Sequence, residues 1–255
     1  MTTMLPRGEI ARRLFDVASR KGENAVIEEV RIGLGYVGVR LGEGRMGLAA
    51  LLLHDLPPGC SVYSDAGKIS GSKIASVLTR LVEGQNPLEK ALGLAAANAA
   101  LSAGIVPDGE DALFIINLTP QDRVAMVGLF APMVPKIKAT GARLTVIERN
   151  PARMAVLDKK EEGRILEECT VAIITATALL NETLEEVLSG FRNPRHVAIL
   201  GPSTPLCPEI FHGTPVNHLG GAVVRDAKKV MQIISEGGGT PAMRPWLGFV
   251  NLLIK

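Results

Sequence analysis

From Arg123 onward, short runs of β-favouring residues alternate with helix-forming stretches, and this alternation constrains the fold more than any other feature. The runs are Val124–Gly128, Arg143–Glu148, Val171–Ile174, Val197–Leu200 and Val216–Leu219. The stretches between them predicted as helix are Met133–Thr140, Met154–Asp158, Asn181–Leu188 and Ala222–Ser235. Strand, helix and strand in succession lay parallel strands side by side with helices on both faces, a doubly wound α/β sheet. Small ligands bind such sheets beyond the carboxyl ends of the strands. Three runs stop abruptly in polar or glycine-bearing loops: RVAMVG at Leu129-Phe130-Ala131-Pro132, VAII at Thr175-Ala176-Thr177, and HVAIL at Gly201-Pro202-Ser203-Thr204. That rim is the expected working centre.

The first hundred residues follow another pattern. Gly8–Ser19, with Ile10, Leu14, Phe15, Val17 and Ala18, suits an amphipathic helix. Ala25–Ile32, Tyr36–Leu41 and Met46–Leu53 are separated by Gly33-Leu34-Gly35 and Gly42-Glu43-Gly44, which reads as an antiparallel meander. Ser72–Glu83 and Pro87–Ala103 are predicted helices. The second has Asn86 as its cap, Pro87 at the first position and Glu89 in the first turn. Its Gly93–Ala100 core has so little bulk that it must approach a neighbour closely. Asn98 is the one amide there, and it either bonds a neighbouring backbone or faces a ligand. The expected division is a small α+β domain over 1–105 and a parallel-sheet domain over 106–255, with Asp111–Leu118 as helix or linker.

Composition narrows the class. Hydrophobic residues make up 47% of the 255, enough for a sizeable core. Net charge is only +2 and the basic residues are scattered, which argues against nucleic acid as a partner. Cys60, Cys169 and Cys207 are too widely spaced for a disulfide framework and suit a reducing cytoplasm. Arg7, Glu9, Arg12 and Arg13 interrupt any signal-like apolar run, and Met46–Leu53 and Val171–Leu180 are too short or too polar to span a bilayer. The expected setting is cytoplasmic, without membrane association.

Several residues could carry chemistry. Glu148 ends the second strand about twenty residues after Gly128, where a nucleotide-binding fold places the carboxylate that receives ribose hydroxyls. The first turn, however, has one glycine and the bulky Phe130 and Pro132, which argues against ordinary NAD binding. Thr175, Thr177, Asn181 and Thr183 cluster at one strand-to-helix junction, where Asn181 or Thr183 also suits a helix cap. Gly201, Pro202, Ser203 and Thr204 form a hydroxyl-bearing loop suited to an anion, although Pro202 and Pro205 donate no N–H. Ser203 lacks the Gly-x-Ser-x-Gly setting of an activated nucleophile. Cys207, His212 and His218 are soft or borderline metal donors close in sequence, at a spacing that matches no zinc finger. Gly220 and Gly221 lead to Asp226, and Gly237–Gly239 suit a helix C-cap or a close backbone approach.

These residues together resemble a prokaryotic family labelled "putative heavy-metal chelation". The N-terminal resemblance rests on Gly93-Leu94-Ala95-Ala96-Ala97-Asn98-Ala99. The C-terminal one rests on Val127–Phe130, Val146–Pro151, Thr175–Leu184, Gly201–Pro205 and Gly220–Asp226. The resemblance implies an enolase N-terminal-like domain joined to a Rossmann-like domain, with one site at their interface. Three functional readings follow. The first is an enzyme or binding protein for a small anionic metabolite, with an adenosyl- or nucleotide-type ligand and synthesis of a metal chelator as one form of it. The second is direct transition-metal binding through Cys207 and His212, with Glu148 as a further ligand. The third is a homo-oligomeric scaffold with structural glycine loops.

Overall fold

The computed structural model describes residues 5–59 and 61–254. Cys60 therefore lies outside the described residues.

The N-terminal half begins with α1 (Glu9–Lys21), whose apolar stripe Ile10, Leu14 and Val17 is buried. Next come β1 (Ile27–Ile32), β2 (Tyr36–Leu41) and β3 (Met46–Ala50), an antiparallel sheet in the order β1-β2-β3, as the meander predicts. The predicted helix over Ser72–Glu83 is broken into α2 (Ala75–Leu78) and α3 (Arg80–Glu83). Helix α4 (Pro87–Leu101) starts where its capping residues place it: the Asn86 carboxamide oxygen accepts from the Leu88 and Glu89 N–H groups at 3.0 Å each.

The small side chains of α4 allow backbone-close packing. A Cβ at Gly47 of β3 would overlap the Ala95 carbonyl and the Ala99 amide, and one at Gly93 would overlap the Leu81 backbone of α3. Val37, Val39, Leu41 and Ala49 point toward α4, while Tyr36, Met46 and Leu48 point the other way, the two-residue period of a strand.

The C-terminal half follows α5 (Ala112–Ile116), so the Asp111–Leu118 segment contains a helix, capped by Asp111. Then come β4 (Arg123–Val127), α6 (Val134–Ala139), β5 (Arg143–Ile147), α7 (Lys159–Glu168), β6 (Val171–Thr175), α8 (Leu184–Ser189), β7 (His196–Leu200), β8 (His218–Val224), α9 (Ala227–Ser235), α10 (Thr240–Met243) and β9 (Leu247–Leu253). The six strands form one sheet in the order β5-β4-β6-β7-β8-β9. The first five are parallel, and β9 pairs antiparallel with β8. Val124, Met126, Val171, Ile173, Ala198 and Leu200 face α5 and α6. Ala125, Ala172, Ile174, Val197 and Ile199 face the core that contains α7, α8 and the N-terminal helices. Helices therefore cover both faces.

Three of the predicted helices have other bounds. Met154–Asp158 is turn and coil rather than helix; the helix starts at Lys159, where Asp158 accepts from the Glu161 N–H at 2.8 Å. Asn181–Leu188 narrows to Leu184–Ser189, because Asn181 folds its own local turn. The helix expected from Ala222 starts at Ala227, since Gly220–Val224 continue β8, held by β9. Strand β9 itself was not foreseen.

Helix α9 leaves its own half and packs Val230, Met231 and Ile234 on the outer face of the three-stranded sheet. It ends at Gly237 (φ 78°), with the Gly238 N–H on the Ile233 carbonyl at 2.8 Å, the C-cap expected of that triplet. Among the described residues no helix is long and apolar enough to cross a membrane.

Candidate functional site at the seam of the two sheets

Strand β3 is an edge strand, and its unpaired backbone groups need partners. They find them in the loop after β7. The Ala50 N–H donates to Ser203 Oγ at 2.8 Å. Asn98 Nδ2 donates to the Leu48 carbonyl at 2.8 Å and to the Ser203 carbonyl at 3.0 Å. Asn98 and Ser203 therefore stitch β3, α4 and the Gly201–Pro205 loop together. The loop is not an open rim: Ser203 and Thr204 are each only 3% exposed. The reason is the glycine pair of β8. A Cβ at Gly220 would stand 2.5 Å from Leu200 Cδ2, and one at Gly221 would stand 2.9 Å from Leu206 Cδ2. Their absence lets the loop fold down on the strand, where the Gly201 N–H bonds the Gly220 carbonyl at 2.9 Å.

Two polar atoms at this seam have no protein partner: Asn98 Oδ1 and Thr204 Oγ1, both buried. A buried polar atom left unpaired costs about 1–3 kcal/mol, so native structures rarely leave one without a water, ion or ligand in view.

The second loop of the rim sits under the other end of α4. Thr175 Oγ1 and Thr177 Oγ1 lie 3.1 Å apart, and the Thr177 N–H reaches Thr175 Oγ1 at 3.4 Å. Asn181 Oδ1 accepts from Thr183 Oγ1 at 2.6 Å and from the Thr183 N–H at 3.3 Å, so it shapes the loop rather than capping α8. Glu182, in the left-handed region at φ 56°, forms ion pairs with Lys90 of α4 and with Arg7. Lys90 and Asn98 are two turns apart, or about 12 Å along the helix. Thus α4 lies across the ends of β6 and β7 and touches both loops. Glu185 on α8 adds another tie, accepting from the Ile10 N–H of α1 at 2.9 Å.

The corner at β4 and β5 is built differently. Gly128 has φ 83°, and a Cβ there would stand 2.5 Å from Thr175 Cγ2, so glycine is required twice over. Glu148 is 6% exposed. Its Oε1 accepts from the Arg149 N–H at 2.9 Å and the Asn150 N–H at 3.0 Å. Its Oε2 accepts from the Leu129 N–H at 3.1 Å and pairs with Arg153 Nη1 at 2.9 Å. Arg153 also holds the Leu129 carbonyl at 2.8 Å. All four contacts are internal, so Glu148 locks the first turn to the end of β5. Phe130 lines that turn and packs on the α5–α6 core.

The remaining candidates disperse. Asp226 caps α9 through the Lys229 N–H at 2.9 Å. Cys207 is buried, and burial together with the nearby Glu209 carboxylate pushes its thiol up to about 11. His212 is exposed and offers its carbonyl to Arg13 Nη1 at 2.8 Å. His218 is buried at the start of β8 and bonds His196. Among the described residues no group of three or more His, Cys, Asp or Glu could hold a metal ion, so neither Cys207 nor His212 belongs to such a group. A groove of about 750 Å³ lies elsewhere, between α9 and the β1–β2 face, lined by Glu29, Arg31, Arg40 and Lys228, none of them a predicted site residue.

Sequence reasoning overlooked Lys90, Glu182, Arg153 and the edge groups of β3. Lys90 was reachable, because it lies two helical turns from Asn98. Glu182 sat inside a stretch already singled out.

Residues 111–252 match the DUF364 family model and residues 15–101 match DUF4213, both described as "putative heavy-metal chelation". The chain belongs to this family. An uncharacterised protein of Methanocaldococcus jannaschii is 26% identical over 232 residues, 88% of each chain. A crystal structure of a DUF364-family protein of unknown function from Pyrococcus horikoshii superposes with a TM-score of 0.83 at 22% identity, covering 96% of this chain and 100% of that one. A second, from Desulfitobacterium hafniense, gives 0.77 at 21% identity, covering 95% and 99%. These likenesses establish the fold.

Proposed function

We propose that this member of the family binds, as an enzyme or a carrier, a small anionic metabolite at the seam between α4 and the loops after β6 and β7. The observation that carries the reading is the pair of unpartnered buried atoms, Asn98 Oδ1 and Thr204 Oγ1. An amide oxygen only accepts, while a hydroxyl donates or accepts. The complementary ligand therefore presents an O–H or N–H to Asn98 and a lone pair to Thr204. Thr175 and Thr177 supply further hydroxyls at the next strand end, within a setting that Lys90 and Arg7 make less negative. A hydroxy- or amino-carboxylate meets all of these demands.

Such a molecule is itself a metal chelator through its carboxylate and neighbouring donor. The family description is thus satisfied by handling or making a chelating metabolite, with the metal as cargo. Direct metal binding through Cys207 and His212 is the weaker reading. One donor is a buried thiol and the other is exposed, and no third donor joins them. An adenosyl- or nucleotide-type ligand would need Glu148 to give up its internal bonds.

A thermal-shift screen tests the reading, because a ligand of the native state raises apparent stability. Hydroxy- and amino-carboxylates are run beside Ni²⁺, Zn²⁺ and Cu²⁺ alone. The expected result is stabilisation by a carboxylate that Thr204→Val removes. Stabilisation only by metal ions, lost in Cys207→Ser, overturns it, as does a shift that Thr204→Val leaves intact.

A further inference from the structure

An edge strand must find partners for its outward N–H and C=O groups, as β3 does at the seam. Strand β9 finds them in the connector between the halves: the Asn251 N–H donates to Asp108 Oδ2 at 2.7 Å, and the Gly109 N–H donates to the Phe249 carbonyl at 3.3 Å. Strand β1 is closed in this way only at its start. The Ile27 N–H donates to the Ser72 carbonyl at 2.9 Å, and the Ile27 carbonyl accepts from the Gly71 N–H at 2.7 Å. Beyond that point, among the described residues, no strand pairs with β1 on the side away from β2.

The register fixes which groups are left over. The Gly33 N–H donates to the Tyr36 carbonyl at 2.9 Å, which makes these two a hydrogen-bonded pair. Bonded and non-bonded pairs alternate along an antiparallel ladder, so Arg31 bonds Gly38, while Val30 and Ile32 do not bond Val39 and Val37. The N–H and C=O groups of Val30 and Ile32 therefore face the open side. There the Val30 carbonyl accepts from Arg31 Nη1 at 3.2 Å, an exposed contact. The charges on this edge have a definite order. Glu29 and Arg31 flank Val30, share the face on which α9 packs, and line the groove there. Within the chain Arg31 Nη2 pairs with Glu29 Oε1 at 2.6 Å, and Arg40 Nε pairs with Glu29 Oε2 at 3.2 Å. Ile32 and Leu34, at the far end of the edge, are 44% and 65% exposed.

A second β1 laid antiparallel against this edge can bond only where outward groups meet outward groups. With the pair centred on Val30, the two Val30 residues exchange their N–H···O bonds, and each Glu29 stands directly opposite the partner's Arg31. Centred on Arg31 instead, two guanidinium groups meet; centred on Glu29, two carboxylates meet. Centred on Ile32, Glu29 and Arg31 find no opposite charge. Directly opposed unlike charges stabilise a strand pair and like charges destabilise it, so the charge order admits one register and disfavours its neighbours.

We infer that β1 is the interface for a second copy of this chain, paired antiparallel about a two-fold axis at Val30, so that two three-stranded sheets become one continuous sheet. The axis makes the contact self-complementary, since each copy gives one Glu29 and one Arg31 and receives the other. The paired stretch ends at Ile32, because Ile27 is already bonded and the chain turns at Gly33. Strand β3 lies at the opposite edge of the sheet, so the seam between the halves takes no part in the contact.

Sedimentation of the full chain from about 1 µM to about 1 mM should show a monomer–dimer equilibrium. Arg31→Glu sets carboxylate against carboxylate on both sides of the axis and should raise the dimer dissociation constant at least about tenfold. Combining it with Glu29→Arg exchanges the two charges and should return the constant to within about threefold of wild type. A monomer at every concentration overturns the interface, as does a dimer that Arg31→Glu leaves unchanged or that the exchanged pair does not restore. Should a variant fail to fold, hydrogen exchange of the wild type decides, with the Gly38 amide as the internal reference. Protection of the Val30 amide that rises with protein concentration supports the interface, and protection that does not overturns it.

Discussion

The two ends of the parallel sheet are built to opposite standards. At the amino ends of the strands, Asp122 is 4% exposed and saturated: it accepts from Arg195 Nη2 at 2.6 Å and Nε at 2.9 Å, from Thr170 Oγ1 at 2.8 Å, and from the Thr119 N–H and hydroxyl at 2.8 and 3.1 Å. At the carboxyl ends, the seam leaves Asn98 Oδ1 and Thr204 Oγ1 without partners and holds Glu182 in a left-handed conformation. A fold that satisfies one end fully has no general difficulty placing hydrogen bonds. Of the three unpaired buried side-chain atoms among the described residues, one is Arg80 Nε in the N-terminal half, and the other two sit together where open α/β sheets bind ligands.

That contrast can be broken by substitution. The largest effect is expected at the base: Asp122→Ala leaves Arg195, Thr119 and Thr170 without their acceptor and should cost about 3–5 kcal/mol, read from urea unfolding. Its acid dependence has a definite sign. The Arg195 guanidinium holds the Asp122 carboxyl far below the ordinary carboxylate range, so its stability is present above about pH 3.9 and is lost as pH falls below that value. An unfolding midpoint in Asp122→Ala as acid-sensitive as in wild type would refute it.

Asn98→Ala should cost about 2 kcal/mol, because the Leu48 and Ser203 carbonyls lose their common donor. Gly128→Ala should cost a similar amount, about 2 kcal/mol, through its positive φ and the contact with Thr175. Thr204→Val is the sharpest test, since the sign reverses. Removing an unpaired buried hydroxyl while keeping the shape should stabilise the unliganded protein by about 1 kcal/mol and abolish metabolite binding, the trade-off of a site kept for function. A loss of stability in Thr204→Val would show the hydroxyl to be structural. The smallest effect is expected for Cys207→Ser, which should leave Ni²⁺ and Zn²⁺ affinity in isothermal titration unchanged, since the thiol is buried and joins no cluster of donors.

Much of the fold is legible in the residues, for local reasons. Glycine-bearing turns at Gly33–Gly35 and Gly42–Gly44 mark the meander, and Asn86-Pro87 marks the start of α4. Strand β9 was not legible. Leu247–Leu253 is a strand because β8 offers it an edge, and pairing across the sheet is not a local property. For the same reason Ala222–Val224 look helical in isolation and are drawn into β8 by that partner. The residues of the candidate seam stood out in the sequence, and their wiring did not. Glu148, Asp226 and Asn181 are short polar side chains at strand ends and turns, where binding a ligand and capping the backbone call for the same residue types.

The sequence by itself determined the alternation that makes a parallel sheet, the glycine-turned meander, and the small-residue helix that had to lie close to something. Those properties are periodic or local, and the chain expresses them wherever it folds. Only the tertiary structure decided that α9 covers the first sheet, that the Gly201–Pro205 loop is a buried seam stitched by Asn98, and that two polar atoms there are left over. Hydrogen-bond satisfaction is a count over everything within about 3 Å of an atom, and the neighbours that enter it at Asn98 and Ser203 lie 50 to 153 residues away in the chain.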